Sequence, residues 1–329
     1  MRGPRVEVRG VSKRFDGAEV LRGVSLEAEP GRVTVVAGPS GAGKTTLLRI
    51  IAGLLDPDEG DILFDDKSVL GVPPWERRAV LLSQRPVLLP HLTVRRNIIV
   101  AEESRGLPRS EAERLAERLA RRLRIAEVLD RLPSTLSGGQ LQRASLAAVL
   151  AASPRVLLLD EPFTHLDLPL REGLRRLVVE VTREEGVTTI QVTHDQDEAL
   201  EIADKLAVLM DGRVLGAGDS YTLYYNPPSL EVALFFGHNV ACGPPFASRG
   251  TPVSFPPEAV HLGDGGITGE VVYTAMRKHY TLVHVRVKGW TIRSVLRGVT
   301  RLVQGKIRLR VDESLIKEWP GLPCPKVSL

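Results

Sequence analysis

The sequence predicts a doubly wound α/β domain followed by a smaller β-rich one, and three observations carry that reading. Short apolar, β-branched runs recur at 33–37, 80–82, 156–159 and 188–193 with helical patterns between them, as a parallel sheet covered on both faces requires. Pro and Gly then cluster from Asn226-Pro227-Pro228 to Cys242-Gly243-Pro244-Pro245, where helical periodicity stops and a boundary is expected. Beyond it the period becomes two. Val283, Val285 and Val287 alternate with His284, Arg286 and Lys288, and Ile307, Leu309 and Val311 alternate with Arg308 and Arg310, the pattern of half-buried strands.

Within the first domain, a long helical stretch is expected from about Thr93 to Leu132. Ser110 and Glu113 have the spacing of a capping box, and Ala112, Leu115, Ala116, Leu119, Ala120 and Leu123 form one apolar stripe. The many Arg and Glu opposite that stripe read as a solvated face rather than a nucleic-acid-binding helix.

Composition narrows the function classes. A chain of 329 residues suits one large domain plus one small one, and 43% hydrophobic with 26% charged residues excludes intrinsic disorder. No apolar run approaches the roughly 20 residues that span a bilayer. The start, Met1-Arg2-Gly3-Pro4-Arg5-Val6-Glu7-Val8, has no apolar signal core, so the chain is expected in the cytoplasm without crossing a membrane itself. With 44 basic against 40 acidic residues, charge singles out neither nucleic acid nor lipid as a partner. Cys242 and Cys324 are expected to be reduced, since a cytosolic chain of this size has little use for one disulfide.

The chemistry is concentrated in a few segments. Gly38-Pro39-Ser40-Gly41-Ala42-Gly43-Lys44-Thr45-Thr46 follows an apolar strand and precedes the helical run Leu47–Leu54. Glycines there let backbone N–H groups converge on phosphate oxygens, Lys44 can reach terminal phosphates, and Thr45 offers a hydroxyl to Mg²⁺. Val156-Leu157-Leu158-Leu159-Asp160-Glu161 is a buried strand ending in two acids. Asp160 is placed to hold the metal and Glu161 to orient or deprotonate an attacking water. In Leu136-Ser137-Gly138-Gly139-Gln140-Leu141-Gln142-Arg143, Ser137 and two glycines open a helix expected to run to Ser153-Pro154, leaving bare N–H groups as a second anion site.

This last segment resembles the signature of ABC ATPases, and the two other motifs stand around it in that family's order. By this resemblance the chain is identified as an ATP-binding subunit of an ABC transporter, importer type, with a C-terminal OB-like regulatory domain. The implied fold is a P-loop ATPase domain over 1–236, with a helical subdomain at about 86–152, then a β-rich domain over 237–329. Two cassettes would pack head to tail, each ATP held between Gly38–Thr46 of one and Ser137, Gly138, Gly139 and Gln140 of the other. Phe15 resembles the aromatic that stacks on adenine, although a core phenylalanine is the competing reading. Gln84 resembles the glutamine linking metal and nucleotide to the membrane partner, and His194 the histidine that contacts the γ-phosphate. Asp167 matches the dimer-contact loop. Thr164-His165 departs from the small pair usual there, and His165 is read as a neutral surface histidine, with crowding or pH sensitivity of the seam as the alternatives.

Lys44 and Ser137 are 93 positions apart (137 − 44), which leaves no room for the coiled coil of ABC ATPases acting on chromosomes. No second cassette follows, as it does in the translation types. A transporter subunit remains. The segment from Gln84 to Ile98 resembles the stretch after the glutamine in importers of sugars, oxyanions, ferric iron and polyamines, so the function that the resemblance implies is ATP hydrolysis with Mg²⁺ to power import. The implied partners are a second copy, transmembrane permease subunits and, indirectly, an extracytoplasmic solute-binding protein, with this subunit peripheral on the cytoplasmic face of the membrane. Nucleic acid is not expected, because aromatic stacking residues are sparse around Arg286, Lys288, Arg308 and Arg310. Phe235-Phe236-Gly237-His238-Asn239 resembles the junction in oxyanion, iron and polyamine importers, and the tail is short for a sugar-importer subunit, so the resemblance tilts the substrate towards an oxyanion such as molybdate or tungstate. Sugar, ferric iron and polyamine are the alternatives, and a non-transport ATPase is the reading outside import.

Overall fold

The computed structural model describes residues 2–83, 88–103, 108–164, 168–248, 250–277, 279–298 and 305–324. It forms two compact units, Met1–Ser220 and Tyr221–Leu329.

Along the first unit run β1 (Val6–Phe15), β2 (Ala18–Ala28), β3 (Val33–Ala37), α1 (Lys44–Ala52), β4 (Glu59–Phe64), β5 (Lys67–Ser68), α2 (Pro74–Arg77) and β6 (Ala79–Leu82). There follow α3 (Val94–Glu103), α4 (Arg109–Arg122), α5 (Gly138–Ala151), β7 (Val156–Asp160), α6 (Leu168–Glu185), β8 (Thr188–Thr193), α7 (Gln196–Ile202), β9 (Lys205–Met210) and β10 (Arg213–Gly218). The central sheet has the order β10-β9-β3-β8-β7-β6. Its strands β9, β3, β8, β7 and β6 pair in parallel and β10 is antiparallel on one edge. Every residue of β3, β7 and β8 is buried, which is why these segments lack the alternation of half-buried strands, although buried polar residues such as Thr34, Thr189 and Gln191 lie within them. A second, antiparallel sheet, β2-β1-β4-β5, packs with α1 around a core that includes Val6, Leu21, Leu47, Ile51 and Ile62.

The stretch 93–132 is two helices, α3 and α4, followed by a 3₁₀ turn at Ala126–Val128. The apolar stripe lies where expected: Ala112, Ala116, Leu119, Ala120 and Leu123 are buried and Leu115 packs against them. The capping box at Ser110 and Glu113 does not form. The helix begins earlier, with Pro108 at the N-cap, φ −59°, and no side-chain cap, so Ser110 already lies inside the first turn. Glu113 is instead 3.2 Å from Arg109, one turn back.

The second unit carries α8 (Ser220–Tyr225), α9 (Leu230–Phe235), β11 (Asn239–Cys242), β12 (Pro252–Phe255), β13 (Val260–Met276), β14 (Tyr280–Val287), β15 (Trp290–Arg297), β16 (Gly305–Val311) and β17 (Lys317–Glu318). It is all-β apart from its short helices, with antiparallel sheets β11-β12-β17 and β15-β14-β13-β16, in keeping with an OB-like domain. Val283, Val285, Val287 and Leu309 point into its core, as the period of two required. The unit begins at residue 221: Leu230 and Ala233 of α9 cluster with Trp319, and Tyr224 of α8 meets Phe236 and His238 edge-on.

The cysteines correct the expectation of free thiols. Cys242 at the end of β11 and Cys324 in the tail form a disulfide, Cα–Cα 5.8 Å, across 82 positions. β17 pairs with β12, the strand beside β11, and so carries the tail back to Cys242, a proximity that spacing along the chain does not reveal.

Candidate functional site

Parallel pairing sets the site. Ala37 is level with Thr193 across β3 and β8, and Asp160 is level with Val192 across β7 and β8. The residues that follow these strands, Gly38, Glu161 and His194, therefore emerge side by side at one edge of the sheet, where open α/β sheets bind ligands.

After β3 the chain has no room for a side chain. A Cβ on Gly38 would lie 2.0 Å from the carbonyl oxygen of Leu209 on β9, and the Gly38 N–H donates to Thr193 at 3.2 Å. Gly43 takes φ +100° as the N-cap of α1, a conformation that favours glycine. The helix start has no side-chain cap and no acidic residue in its first turn, so its N–H groups and positive dipole end suit an anion. Lys44 is buried, and its Nζ donates to the carbonyls of Gly38 and Pro39 at 2.8 Å each. Burial lowers its pKa below the ordinary lysine value, while Glu161 and Asp160 pull the other way. The hydroxyl of Thr45 donates to Asp160 Oδ1 at 3.1 Å. Burial raises the Asp160 carboxyl, and the Thr45 hydrogen bond opposes it.

Glu161 sits at φ +46°, in the left-handed region that is costly for residues other than glycine. Thr164 braces it: its Oγ1 donates to the Glu161 carbonyl at 2.9 Å and lies 3.4 Å from Oε2. Nδ1 of His194 is 3.0 Å from Glu161 Oε1. Thr45, Asp160, Glu161 and His194 thus form a chain of contacts from phosphate loop to histidine, with Lys44 folded onto the loop beside them.

The second glycine-rich helix start is less bare than the sequence suggested. Ser137 caps α5 in a reciprocal box, accepting from Gln140 N at 3.3 Å while Gln140 Oε1 accepts from Ser137 N at 3.1 Å. The box occupies those two donors and leaves Gly138 exposed and Gly139 half-buried beside it. A Cβ on Gly138 would meet nothing within 4 Å, so no packing inside the chain demands glycine there.

A family profile for the ABC transporter matches residues 21–164, the span holding all three motifs. The spermidine/putrescine import ATP-binding protein PotA of Thermotoga maritima is 41% identical over 237 residues, covering 72% of this chain and 64% of that protein. The protein of the same name from Bacillus thuringiensis (strain Al Hakam) is 39% identical over 234 residues, 71% of this chain and 72% of that one. The chain belongs to the ABC transporter ATP-binding subunits. A solved subunit of the cbiONQ ABC transporter complex from Clostridium perfringens superposes with a TM-score of 0.62 at 30% identity, over 67% of this chain and 90% of that one. The match to the Thermotoga relative stops just short of two thirds of that relative's length.

The residues expected to act here divide into three groups. Lys44, Thr45, Asp160, Glu161 and His194 converge. Phe15 lies at the tip of the β1–β2 hairpin, 43% exposed, with Lys13 Nζ 5.8 Å from its ring, so the core reading of this residue is excluded. Gln84, His165 and Asp167 lie outside the described residues. Sequence reasoning missed two supporting groups. Thr164 stood out only as a departure from a family pattern. Gln142, buried on α5, donates from Nε2 to the Pro162 carbonyl at 2.7 Å, tying the signature helix to the turn after Glu161. The sequence placed it in the segment Leu136–Arg143 without giving it a role.

Proposed function

We propose that this subunit binds MgATP between its phosphate loop and the signature of a second copy, and hydrolyses it to drive import of a polyamine-type organic cation through partner permease subunits. The observation that carries the reading is the contiguity of Thr45, Asp160, Glu161 and His194 beside an uncapped, glycine-opened helix start.

Thr45 and Asp160 suit a small hard cation: a hydroxyl and a carboxylate 3.1 Å apart, the carboxylate raised by burial and so relieved by positive charge. Gln84 is assigned to the same cation by family resemblance. Bound there, Mg²⁺ supplies charge neutralisation for the phosphate oxygens. Lys44 exchanges its two carbonyl acceptors for terminal phosphate oxygens. Glu161 takes the proton of the attacking water, and His194, steadied through Nδ1, faces the γ-phosphate with its other nitrogen. Phe15, exposed at its hairpin tip, stacks on adenine. The free space at Gly138 is what close approach of a partner's nucleotide needs. Ser137, Gly139 and Gln140 complete that contact, and Asp167 belongs to the seam.

No helix among the described residues is long and apolar enough to cross a membrane. In this reading the subunit attaches peripherally to permease subunits at the cytoplasmic face. A solute-binding protein would act through them, and the unit from residue 221 onward would regulate. The resemblance of the Phe235–Asn239 junction to that of oxyanion, iron and polyamine importers tilted the substrate towards oxyanions. The relatives named for spermidine/putrescine import favour the polyamine alternative.

Glu161→Gln tests the mechanism: turnover should fall by about 10²-fold or more while ATP binding survives. The variant should accumulate as an ATP-bound dimer on gel filtration, and Ser137→Arg added to it should abolish the dimer. Normal turnover with a nucleotide-bound monomer would refute the composite site. ATPase of the reconstituted transporter should be stimulated by spermidine and not by molybdate.

A further inference from the structure

Arg175, on α6, is 4% exposed, and its guanidinium is surrounded by acids. Nη1 lies 2.9 Å from Glu201 Oε2, and Nη2 lies 3.2 Å from both Asp195 Oδ2 and Glu198 Oε2. Asp195 directly follows His194. It caps α7 through Oδ1, accepting from Glu198 N at 3.0 Å, and its own N–H donates to Thr193 Oγ1 at 3.0 Å. Arg171, one turn earlier on α6, reaches the same Asp195 Oδ2 at 3.5 Å. Glu198 is itself 4% exposed and also accepts from Gln191 on β8. The turn bearing His194 is thereby fixed from three directions: β8 through Thr193 and Gln191, α7 through the cap, and α6 through the arginine fork.

We propose that Arg175 is a positioning residue for His194, locking the Thr193–Asp195 turn so that the imidazole meets Glu161 and the transferring phosphate. This rests on the ATPase reading above, in which His194 acts on the γ-phosphate. Arginine suits the task because its planar fork holds three carboxylates in fixed directions at once, which a lysine ammonium does not. The fork touches neither the phosphate loop nor Asp160, so nucleotide binding is separable from it. The catalytic pair depends on a 3.0 Å contact, and misplacement by about 1 Å can cost about 10²-fold in rate.

The experiment is a double-mutant cycle on the full chain. Arg175→Met should lower kcat by about 10- to 10²-fold with the Kd for MgATP within about twofold of the parent. In a His194→Ala background the same substitution should cost almost nothing further, because the residue it acts through is gone. Arg175→Lys, which keeps the charge beside Glu198, should restore part of the turnover and serves if the methionine variant does not fold. Equal losses in both backgrounds would show a general structural role and overturn the proposal, as would parental kcat in Arg175→Met. Parental turnover in His194→Ala would instead sink the reading of His194, and this proposal with it.

Discussion

Oε1 of Glu161 lies 3.0 Å from Nδ1 of His194, although 33 positions separate them (194 − 161). Adjacent parallel strands make the contact: β7 ends one residue short of β8, Asp160 lying level with Val192, and each delivers its next residue to the same end of the sheet. Glu161 reaches it by adopting φ +46°, so the residues that hold that backbone matter as much as the carboxylate.

Thr164 is the first of these. Thr164→Val removes the hydroxyl that donates to the Glu161 carbonyl at 2.9 Å and keeps the shape. Turnover should fall by about 10-fold, with ATP affinity unchanged and Thr164→Ser close to the parent. Steady-state ATPase assays with nucleotide titrations check this. A valine variant at parental kcat would remove Thr164 from the site.

Two glycines should separate folding from function. Gly38→Ala drives a Cβ to 2.0 Å from the Leu209 carbonyl and should cost about 1–3 kcal/mol of stability. Gly138→Ala meets nothing within 4 Å and should leave the melting temperature at or above the parent's, since alanine restricts the unfolded chain. Its ATPase activity should nevertheless drop, because the partner's nucleotide needs that space. Melting curves beside turnover numbers decide it, and an active Gly138→Ala enzyme would count against the dimer site.

Acid should weaken the second unit through His238. Burial pushes this imidazole from the ordinary 6.5 down to about 4, with the Arg293 guanidinium adding to the shift. Between those values the unfolded ring takes up a proton that the folded ring refuses, so stability falls as pH drops from 6.5 towards 4 and is independent of this group above that window. The full loss is on the order of 3 kcal/mol. His238→Phe should flatten the dependence in melts between pH 7 and 4, and a ring proton resonance titrating near 6.5 would contradict the assignment.

The Cys242–Cys324 bridge predicts no reactive thiol in the native, unreduced protein. Cys242→Ser should expose one titratable thiol and cost the second unit about 2–4 kcal/mol. Two thiols reacting at once without reductant would disprove the pairing.

The sequence by itself determined the parts whose physics is local. Gly38–Thr46 between a buried strand and a helix, Asp160-Glu161 at a strand end, and Val283–Val287 alternating with polar residues are each legible within ten residues, because a period of 3.6 or 2 and the backbone freedom of glycine are short-range properties. The antiparallel sheet of β1, β2, β4 and β5 was not read that way. Gly10 and Gly23, at φ +57° and +65°, accompany register shifts that break the alternation in β1 and β2. Capping misled for a related reason, since Ser110 and Ser137 share a local pattern and only the chain's path to each helix decides which one stands outside the first turn. The strain at Glu161, the arginine fork behind His194 and the meeting of Cys242 with Cys324 depend on which strands lie side by side. Pairing between distant segments is set by burial of the whole core, a sum over many weak contacts that no single stretch of sequence contains.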